Sequence, residues 1–598
     1  MWDIFAELDQ DGSINAYQLA ANRLREASGG LQPVRMRLLA SFVVQPFLPT
    51  LTVEAARLGF ALHCDTGPFN VIIPELLQSD SPSVTGDYDA LFILRQLRDT
   101  CPELAMHFLT LSPEEVASRI DATVRELETA LEQFRARCAS RVIVHNFVQP
   151  AHPELGILEG MAGQTQSRAI RHLNHLLGQR LTRIPGVYVL DFDRVCAQVG
   201  YDRWQDDKLR YLARAPLSAQ VMPELARTQA TFLHALLGRV RKCLVLDLDN
   251  TLWGGVIGEE GMARIALGHA GLGWVYREFQ EEILKFHQRG ILLAIASKNN
   301  PQDALAVLRD HPDMVLREHH FAAMRINWEP KPDNLAAMAL ELNLGTDALV
   351  FLDDSPQERE QMRRLRPEIL TPELPRDPMG YAGVLRRLGV FDKLSLTRED
   401  LKRGEMYRQQ TERTRLQESA GSMEEYYRGL VMRVTVTPVD RQSFPRALDL
   451  LHKTNQFNLT TRRHDESTLQ ALLDHPDAGV FVLRVVDKFG DNGLVGVAIL
   501  ELKGDGVAEL DSFLLSCRVI GRTVETAFLA HLADWAVSRG VTRLLAEFLP
   551  TAKNQPAAGF LPGHGFHRID ATPRGSRWSL DLTRTALHWP DYIERGSP

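Results

Sequence analysis

The chain has 598 residues, with 68 Lys and Arg against 76 Asp and Glu, so its net charge is −8 and its pI about 6.2. That balance argues against a nucleic acid or an anionic membrane surface as the main partner. The length predicts three or four domains at roughly 150 residues each. The sequence shows no signal peptide, no apolar run that could span a bilayer and no CxxC pair among its six cysteines. We therefore expect a cytoplasmic protein with reduced thiols.

Residues 1–235 alternate strand-like and helical patterns. The strand-length apolar runs are Arg37–Val44, Ala90–Leu94, Arg141–Phe147 and Val187–Phe192. This alternation predicts a parallel α/β sheet. The order of elements resembles that of SGNH-hydrolase-like three-layer α/β domains, whose nucleophile would lie near Ser41. No Asp-x-x-His pair follows near the end of the domain, so we expect a docking or structural role and no catalysis there.

Residues 236–378 form a second α/β unit with four short polar motifs, each following or ending an apolar run. In chain order they are LVLDLDNTLW (Leu244–Trp253), ASKN (Ala296–Asn299), EPKP (Glu329–Pro332) and VFLDDSP (Val350–Pro356). Asp247 and Asp249 stand two residues apart at the end of a strand, so both carboxylates point to one face. Open α/β sheets bind ligands at strand ends. The motifs therefore predict one phosphoryl-transfer site.

The residue types in these motifs divide the chemistry between them. Asp247 would attack phosphorus and form an aspartyl-phosphate, while Asp249 would protonate the leaving group and then activate water. The phosphoryl oxygens would be held by three further residues, Thr251, Ser297 and Lys331. Carboxylate oxygens are the ligands that Mg²⁺ prefers. The expected metal ligands are Asp247, Asp249, Asp353 and Asp354.

The four motifs resemble those of the haloacid dehalogenase (HAD) superfamily. Members of that superfamily usually cover the site with a cap inserted after the first or second motif. Here about 48 residues separate Asp249 from Ser297 and about 34 separate Ser297 from Lys331, which is too few for a folded cap. We expect an open site, suited to a phosphoryl group presented on something large or to a lid from another domain.

The remainder of the chain predicts a helical connector and an α+β domain. Residues 379–427 are rich in Arg and Glu with a helical pattern. Within residues 428–598, Leu430–Val436, Val480–Val486 and Leu494–Leu502 are predicted strands, and Asp491–Gly493 supplies the chemistry of a hairpin turn.

A loop in the last domain resembles a known anion-binding loop. Arg518-x-x-Gly521-x-Thr523 resembles the R/Q-x-x-G-x-G/A loop of GNAT acyltransferases, although Thr523 replaces the small final residue. An amphipathic helix is predicted from about residue 522 to 538, and its first N–H groups would cradle a pyrophosphate or phosphopantetheine. Asn554 belongs to a later GNAT-like segment. Cys517, beside Arg518, would hold an acyl thioester; the alternative is a buried packing cysteine.

Longer strings extend the resemblance to most of the chain. They are YLARAPLS (Tyr211–Ser218), KCLVLDLDNTLWGGVIGEEG (Lys242–Gly261), KTNQFNLTTRR (Lys453–Arg463) and SCRVIGR (Ser516–Arg522). These strings resemble the FkbH-like family of HAD-type glyceryl transferase/phosphatases in polyketide biosynthesis. The resemblance implies that the chain takes glyceryl from 1,3-bisphosphoglycerate and removes the remaining phosphate. It also implies loading onto the phosphopantetheine thiol of an acyl carrier protein through an enzyme thioester, which we place on Cys517.

Three alternatives to that activity stay open at this point. The chain could be a plain Mg²⁺ phosphatase, a CoA-dependent GNAT acyltransferase with a regulatory HAD module, or a scaffold without catalysis. The roles of three polar residues are also open: Asn455, Gln456 and Asn458 either bind glyceryl hydroxyls and pantetheine amides or satisfy their own loop backbone. A different phosphorylated acyl group would use the same machinery.

Overall fold

The computed structural model describes residues 2–26, 30–396, 409, 412–413, 416–417, 419–572 and 575–597. The chain divides into two compact units, residues 1–241 with 386–395 and residues 242–385 with 396–598. Much of the predicted helical connector, residues 379–427, lies outside the described residues. Among the described helices, none combines the length and apolar character needed to cross a membrane.

The first unit is built on a parallel sheet of five strands in the order β2-β1-β3-β4-β5. The strands are β1 (Gln32–Ala40), β2 (Phe60–Thr66), β3 (Ala90–Leu94), β4 (Arg141–His145) and β5 (Val187–Leu190). The predicted parallel sheet is confirmed. Sequence reasoning missed β2, an edge strand, because its side chains are mostly half-exposed and it does not form an apolar run.

Helices cover both faces of this sheet. They are α1 (Trp2–Asp11), α2 (Ile14–Glu26), α3 (Leu48–Arg57), α4 (Ile72–Leu77), α5 (Pro82–Thr85), α6 (Leu97–Thr100), α7 (Pro102–Met106), α8 (Pro113–Arg135), α9 (Gln166–Leu181), α10 (Phe192–Val199), α11 (Asp207–Ala213) and α12 (Val221–Leu236). One core joins Phe134 of α8 to Leu173 of α9, and another joins Leu51 of α3 to Leu225 of α12. Every residue of β3 is buried because both faces of the sheet are covered. The three-layer expectation is confirmed.

Ser41 follows β1 and is buried. Its hydroxyl donates to Asp99 Oδ2 at 2.8 Å and accepts from the Gln96 N–H at 3.0 Å. The buried histidine of this sheet, His145, lies 3.1 Å from the amide of Gln229, and burial lowers the pKa of His145 to about 3. Among the described residues no histidine is hydrogen-bonded to Ser41, so this site lacks the usual serine–histidine pair.

The second unit contains a parallel four-stranded sheet in the order β8-β7-β6-β9. Its strands are β6 (Cys243–Leu246), β7 (Leu292–Ser297), β8 (Phe321–Ile326) and β9 (Leu349–Leu352). Its helices are α13 (Ile257–Glu260), α14 (Gly271–Gln288), α15 (Pro301–Asp310), α16 (Lys331–Glu341), α17 (Pro356–Leu365) and α18 (Tyr381–Arg387). Each of the four polar motifs ends or follows one of these strands, so all four reach the same edge of this HAD-like sheet.

The stretches that a cap would occupy are short. Residues 250–291 form α13, α14 and a bridge between Gly254 and Ala266. Residues 298–330 form α15, a 3₁₀ turn at Glu318–His320 and β8. These described stretches contain no additional folded domain, which agrees with the expectation of a site without a cap.

The C-terminal region is a mixed sheet in the order β16-β17-β15-β14-β13-β12-β10-β18, with β11 paired to β14. Its strands are β10 (Met432–Pro438), β11 (Phe457–Asn458), β12 (Ala478–Asp487), β13 (Gly490–Gly504), β14 (Val507–Leu515), β15 (Arg543–Phe548), β16 (His567–Thr572), β17 (Gly575–Asp581) and β18 (Ile593–Arg595). Its helices are α19 (Met423–Leu430), α20 (Phe444–Lys453), α21 (Glu466–Asp474), α22 (Val524–Val537) and α23 (Phe560–Gly563). Strands β14 and β15 are parallel within an otherwise largely antiparallel sheet. The predicted GNAT-like α+β fold is confirmed.

Two local predictions in this region are wrong. Asp487 pairs with Gly490, so the hairpin turn is Lys488–Phe489 and the predicted turn, Asp491–Gly493, lies within β13. The tighter turn forms because the Asp487 carboxylate accepts the N–H groups of Phe489 and Gly490. Helix α22 is not amphipathic, because apolar side chains around most of its circumference are buried.

The close packing at the start of α14 generates a stability prediction. A Cβ added to Gly273 would lie 2.8 Å from the backbone nitrogen of Gly268, whereas one added to Gly383 in α18 meets nothing within 4 Å. We expect Gly273→Ala to destabilise the second unit by about 1–3 kcal/mol and Gly383→Ala to stabilise it by about 0.5–1 kcal/mol. Chemical unfolding followed by tryptophan fluorescence measures both. Equal stability of the two variants would contradict the tight contact.

Candidate active site

Three carboxylates meet at the carboxyl edge of the HAD-like sheet. Asp247 follows β6, and Asp353 and Asp354 follow the adjacent strand β9. Each of the three offers an oxygen within 4.8 Å of the others. The two strands are held in register there by a hydrogen bond from the Asp247 N–H to the Leu352 carbonyl. Neighbouring parallel strands thus bring together residues that are more than a hundred positions apart in the chain.

Lys331, the first residue of α16, links two of these carboxylates. Its Nζ lies 2.6 Å from Asp353 Oδ2 and 3.1 Å from Asp247 Oδ1. The lysine is buried, with 3% of its surface exposed. Burial opposes its charge, but the two carboxylates outweigh burial and raise the pKa of Lys331. The ammonium therefore stays protonated and offers a fixed positive charge inside the site.

The site nevertheless has more negative charge than one lysine balances. Burial and the neighbouring Asp247 charge raise the pKa of Asp353 to about 7 and that of Asp354 to about 6. Ionising all three carboxylates is therefore unfavourable without a further cation. Three oxygen donors in one place fit Mg²⁺, whose charge would relieve this repulsion.

Asp249 lies outside this group of carboxylates. Its Oδ1 accepts from Trp253 Nε1 at 2.8 Å and from the Ile257 N–H at 3.1 Å, and its Oδ2 accepts from Asn299 Nδ2 at 2.8 Å. Burial is the largest influence on Asp249 and raises its pKa, although these hydrogen bonds oppose the shift. The geometry suits a carboxyl group that carries and moves a proton. It does not support the prediction that the Asp249 side chain is a metal ligand.

The predicted phosphate-binding residues lie at the same edge. Ser297 ends β7 and is buried, and its carbonyl accepts the N–H of Asn327. Thr251 is fully buried, and its hydroxyl has no hydrogen-bond partner among the described residues. Buried hydroxyls are normally paired, so the Thr251 hydroxyl fits a site that receives a ligand oxygen.

Two further residues hold the site in place, and neither was predicted from the sequence. Asn299, the last residue of the ASKN motif, donates to Asp249, and its place in that motif was the available signal. Arg359 of α17 donates to the carbonyl oxygens of Asp353 and Asp354 at 2.8 and 2.7 Å. It fixes the loop that presents both carboxylates. Nothing in the local sequence distinguishes it from the other arginines of α17.

Two tyrosine hydroxyls and a glutamate lie at the loop where an anion cradle was predicted in the C-terminal region. Gly521 and Thr523 both have left-handed backbones, with φ of 76° and 62°. The Tyr427 hydroxyl donates to the Gly521 carbonyl, and the Tyr592 hydroxyl donates to Thr523 Oγ1. In the first turn of α22, one carboxylate oxygen of Glu525 is enclosed, and burial raises the pKa of that residue. An acidic side chain at this helix start disfavours a pyrophosphate.

The other two residues predicted to act in this loop are Cys517 and Arg518. Cys517 is exposed in the turn after β14, so the alternative of a buried packing cysteine is wrong. Arg518 donates over 3.5 Å to the carbonyl of Asn492.

Two asparagines predicted to bind substrate are structural instead. Asn458 is buried, and its side chain accepts the N–H groups of Thr460 and Thr461 and donates to the Thr454 carbonyl. Asn554 is fully buried and donates to the carbonyls of Asn458 and Leu549. These bonds use both side chains, so neither is available to pantetheine.

Their neighbours in the TNQFN stretch are less buried. Asn455 is half-buried and accepts a hydrogen bond from Arg463, and Gln456 is exposed.

The same segment fills the space between β14 and β15. These parallel strands pair only as far as Leu510 and Ala546, and they separate beyond that point. Leu459 bridges the gap: its N–H donates to the Phe513 carbonyl, and its carbonyl accepts from the Leu549 N–H. The backbone edge of β14 is therefore already paired with the chain itself.

An ionic group closes the narrow end of this gap. Arg462 forms ion pairs with Asp511 of β14 and Glu547 of β15. His464 Nε2 lies 2.8 Å from Asp511 Oδ2. Burial opposes ionisation of Asp511, but His464, Ser512 and Arg462 together lower its pKa to about 2. The ion pairs therefore persist at neutral pH.

No family model matches this chain, and no curated protein matches it. Among solved structures, it is similar to the N-terminal part of the protein BF1531 from Bacteroides fragilis, which contains a phosphatase domain complexed with Mg. The TM-score is 0.56 at 26% identity, and the match covers 64% of this chain and 100% of that one.

Two acetyltransferases match the chain weakly. The ribosomal-protein-S18-alanine N-acetyltransferase of Escherichia coli has a TM-score of 0.20 at 18% identity, over 25% of this chain and 94% of its own. The GNAT domain of S. lividans PAT has a TM-score of 0.21 at 21% identity, over 24% of this chain and 89% of its own. At these scores, the fold of the C-terminal region is better read from its own strand order.

The crowding of the three carboxylates predicts how the thermal stability of the protein depends on Mg²⁺. The pKa of Asp354 is raised, so its ionisation lowers stability progressively as pH rises from about 4 through about 6. At pH 7 in chelator we expect Asp354→Asn to unfold at a higher temperature than the wild type. Added Mg²⁺ should stabilise the wild type by about 2.7 kcal/mol at a hundredfold excess over Kd, and the variant much less.

Differential scanning calorimetry of the two proteins, with and without Mg²⁺, measures both effects. Asp333→Asn is the matched control because its side chain is 70% exposed on α16. An Asp354→Asn protein that gains as much stability from Mg²⁺ as the wild type would contradict the proposed ligand set.

Proposed function

We propose that this chain is a Mg²⁺-dependent phosphatase joined to an acyl-transfer domain. In its specific form, it moves a glyceryl group from 1,3-bisphosphoglycerate to the phosphopantetheine thiol of an acyl carrier protein, with dephosphorylation, in polyketide biosynthesis. The observation that carries the phosphatase part is the group of three carboxylates and one buried lysine at the edge of an HAD-like sheet. The similarity to the magnesium-bound phosphatase-containing part of BF1531 supports the same reaction class.

The side chains account for both steps of phosphate ester hydrolysis. Asp247 attacks phosphorus; an oxygen–phosphorus bond forms as the bond to the ester oxygen breaks, and Asp249 gives its proton to that leaving oxygen. Asp249, now a carboxylate, takes a proton from water, and the water oxygen attacks phosphorus. The bond to Asp247 breaks, and inorganic phosphate leaves. Asp249 ends the cycle protonated, as it began.

Charge on the phosphoryl group is met by fixed groups of the site. Lys331 presents an ammonium beside Asp247, and the buried Thr251 hydroxyl, which has no partner among the described residues, would donate to a phosphoryl oxygen. Mg²⁺ held by Asp247, Asp353 and Asp354 would add positive charge against the phosphoryl oxygens.

We assign the nucleophile of acyl transfer to Cys517 because its side chain is accessible to solvent. An acyl phosphate is an activated donor, so the Cys517 thiolate attacks the acyl carbon, a thioester forms and phosphate leaves. The carrier thiol then attacks this thioester, and the proton it loses returns to the Cys517 sulfur. The exposure of Cys517 supports this route, since both the donor and the carrier must reach the sulfur. The other five cysteines are buried or half-buried.

The alternative of a CoA-dependent acyltransferase is disfavoured by the closed gap. A pantetheine arm bound along β14 would need the edge that β11 and Leu459 already occupy. Its pyrophosphate would meet Glu525 and the two tyrosines at the start of α22. A carrier thiol that reaches Cys517 from solvent avoids both obstacles. A plain phosphatase stays a second candidate, because the three carboxylates and Lys331 alone suffice for phosphate ester hydrolysis.

Two substitutions separate the two activities. With 1,3-bisphosphoglycerate, Mg²⁺ and a holo carrier protein, we expect the wild type to yield a glyceryl carrier. Asp247→Asn should yield a carrier one phosphoryl group heavier than the wild-type product, because hydrolysis of the phosphate ester falls by about 10³-fold or more without the nucleophile, whereas the acyl phosphate still loses its phosphate to Cys517. Cys517→Ala should leave the carrier unmodified but still hydrolyse a small aryl phosphate.

Intact-mass spectrometry of the carrier and phosphate release measure the products. Asp333→Asn and Cys64→Ala are the matched controls, and both should behave as the wild type. Glyceryl loading by Cys517→Ala at the wild-type rate would exclude the thioester on Cys517. A wild type that hydrolyses phosphate esters but never acylates the carrier would favour the plain phosphatase.

The closed gap also predicts how the chain responds to CoA. Because the edge of β14 is paired and Glu525 places a carboxyl group at the start of α22, acetyl-CoA should bind with a Kd weaker than about 1 mM. Isothermal titration calorimetry of the full chain measures this. Saturable binding in the micromolar range, with competition by CoA, would restore the acyltransferase alternative.

A further inference from the structure

Asp249, the proposed proton carrier of the phosphoryl-transfer site, has different partners on its two carboxylate oxygens. Its Oδ1 accepts two hydrogen bonds, from Trp253 Nε1 at 2.8 Å and from the Ile257 N–H at 3.1 Å. Its Oδ2 accepts one hydrogen bond, from Asn299 Nδ2 at 2.8 Å. The two oxygens of this carboxyl group are therefore not equivalent.

The two partners of Oδ1 can only donate. An indole nitrogen and a backbone amide nitrogen each carry one N–H and accept no hydrogen bond in return. A proton on Oδ1 would make this oxygen a hydroxyl, which is a weaker acceptor for both N–H groups and finds no acceptor in either of them. Oδ1 is therefore suited to remain the carbonyl oxygen when Asp249 is protonated.

The partner of Oδ2 is suited to both protonation states. A side-chain amide carries an NH₂ group that donates and an oxygen that accepts. Asn299 is buried, and in the structure its Nδ2 donates to the Oδ2 of Asp249. When Oδ2 carries the proton, its hydroxyl can donate to a substrate oxygen or, after the amide turns over, to the Asn299 oxygen. Oδ2 can therefore gain and lose a proton without losing its partner.

The packing of the HAD-like sheet fixes the positions of both side-chain donors. Trp253 is fully buried, and the carbonyl just before it in the chain accepts from the side chain of the equally buried Gln280 of α14 at 2.7 Å. Asn299 follows Lys298, whose ammonium lies 2.6 Å from a carboxylate oxygen of Glu358 in α17. Neither donor has to be ordered when a substrate arrives, which is the arrangement expected of groups that orient a catalytic side chain.

Resting on the proposed function, we infer that Trp253 and Asn299 are positioning residues that assign proton transfer to the Oδ2 of Asp249. Trp253 holds Oδ1 as the carbonyl oxygen, and Asn299 orients Oδ2 toward the ester oxygen. In the first step the Oδ2–H bond breaks as the leaving oxygen gains the proton, and its electron pair stays on Asp249. In the second step Oδ2 takes a proton from the water that attacks phosphorus. Neither positioning residue forms a bond to the substrate.

The test uses the full chain with Mg²⁺ and two phosphate esters whose leaving groups differ. Glycerol 3-phosphate releases an alkoxide and needs a proton donor, whereas 2,4-dinitrophenyl phosphate releases a stable phenolate and does not. We expect Asn299→Leu to lower kcat/KM by about 10²-fold for glycerol 3-phosphate and by less than about threefold for 2,4-dinitrophenyl phosphate. Trp253→Phe, which loses only the N–H donor and keeps an aromatic ring, should lower the first value by about tenfold. Trp578→Phe is the matched control, since its indole N–H donates to Ser576 in the C-terminal region.

A double variant shows whether Asn299 acts through Asp249. We expect Asp249→Asn combined with Asn299→Leu to have the same kcat/KM for glycerol 3-phosphate as Asp249→Asn alone, because residues that act as a unit are not additive. Intact-mass spectrometry of Asn299→Leu, quenched during turnover of 2,4-dinitrophenyl phosphate, should show a chain one phosphoryl group heavier. The aspartyl-phosphate accumulates because its hydrolysis needs Asp249 as a base and its formation from this ester does not need Asp249 as an acid.

Three results would overturn the assignment. Equal losses on both esters, with unchanged thermal unfolding, would mean that Trp253 and Asn299 support the site as a whole. Unchanged kcat/KM on both esters would remove their role, and additive losses in the double variant would mean that Asn299 acts independently of Asp249. Asn299→Leu decides the test if Trp253→Phe fails to fold. A wild type that hydrolyses neither ester would instead overturn the proposed phosphatase function, and this inference with it.

Discussion

Electrostatic repulsion among Asp247, Asp353 and Asp354 is the constraint on which the site depends. Two adjacent strands hold these carboxylates together at a sheet edge, and one buried lysine balances only part of their charge. A folded protein tolerates such crowding when the same charge is used to bind a cation and to perform chemistry. The scaffold resists the repulsion through buried strands and through Arg359, which holds the backbone carbonyls of Asp353 and Asp354. Three hydrogen bonds hold the Asp249 carboxyl group apart from the three carboxylates, where it can carry a proton.

In the C-terminal region, the constraint is the pairing of backbone groups between two strands that separate. Where β14 and β15 diverge, backbone groups would be left unpaired, and unpaired buried amides are costly. The chain pairs them with its own segment around Leu459, and Arg462 ties the two strands together. This solution stabilises the sheet, but it removes the edge that a pantetheine arm would use. Cys517, in the turn after β14, is exposed, and the proposed acyl transfer requires its partner to deliver a thiol there from solvent.

The carboxylate site could be predicted from sequence because its residues follow a local pattern. Asp247, Lys331 and Asp353 each end or follow an apolar run, and parallel strands bring such ends together whatever the intervening sequence. The role of Asn554 could not be predicted, because its side chain donates to the carbonyl of Asn458, 96 residues earlier in the chain. The side chain of Asn458 bonds to its own loop backbone, which is the alternative that the sequence left open. Strand β2 was missed because one edge of a sheet does not need an apolar run.

We propose Asp247 as the nucleophile of a metal-dependent phosphoryl transfer. A crystal structure of the full chain with Mg²⁺ and beryllofluoride, which mimics an aspartyl-phosphate, tests this role. We expect beryllium bonded to an Asp247 oxygen, with Mg²⁺ held by Asp247, Asp353 and Asp354 and a fluorine within hydrogen-bonding distance of Lys331. Beryllofluoride on Asp249, or a metal ion bound away from the three carboxylates, would contradict it.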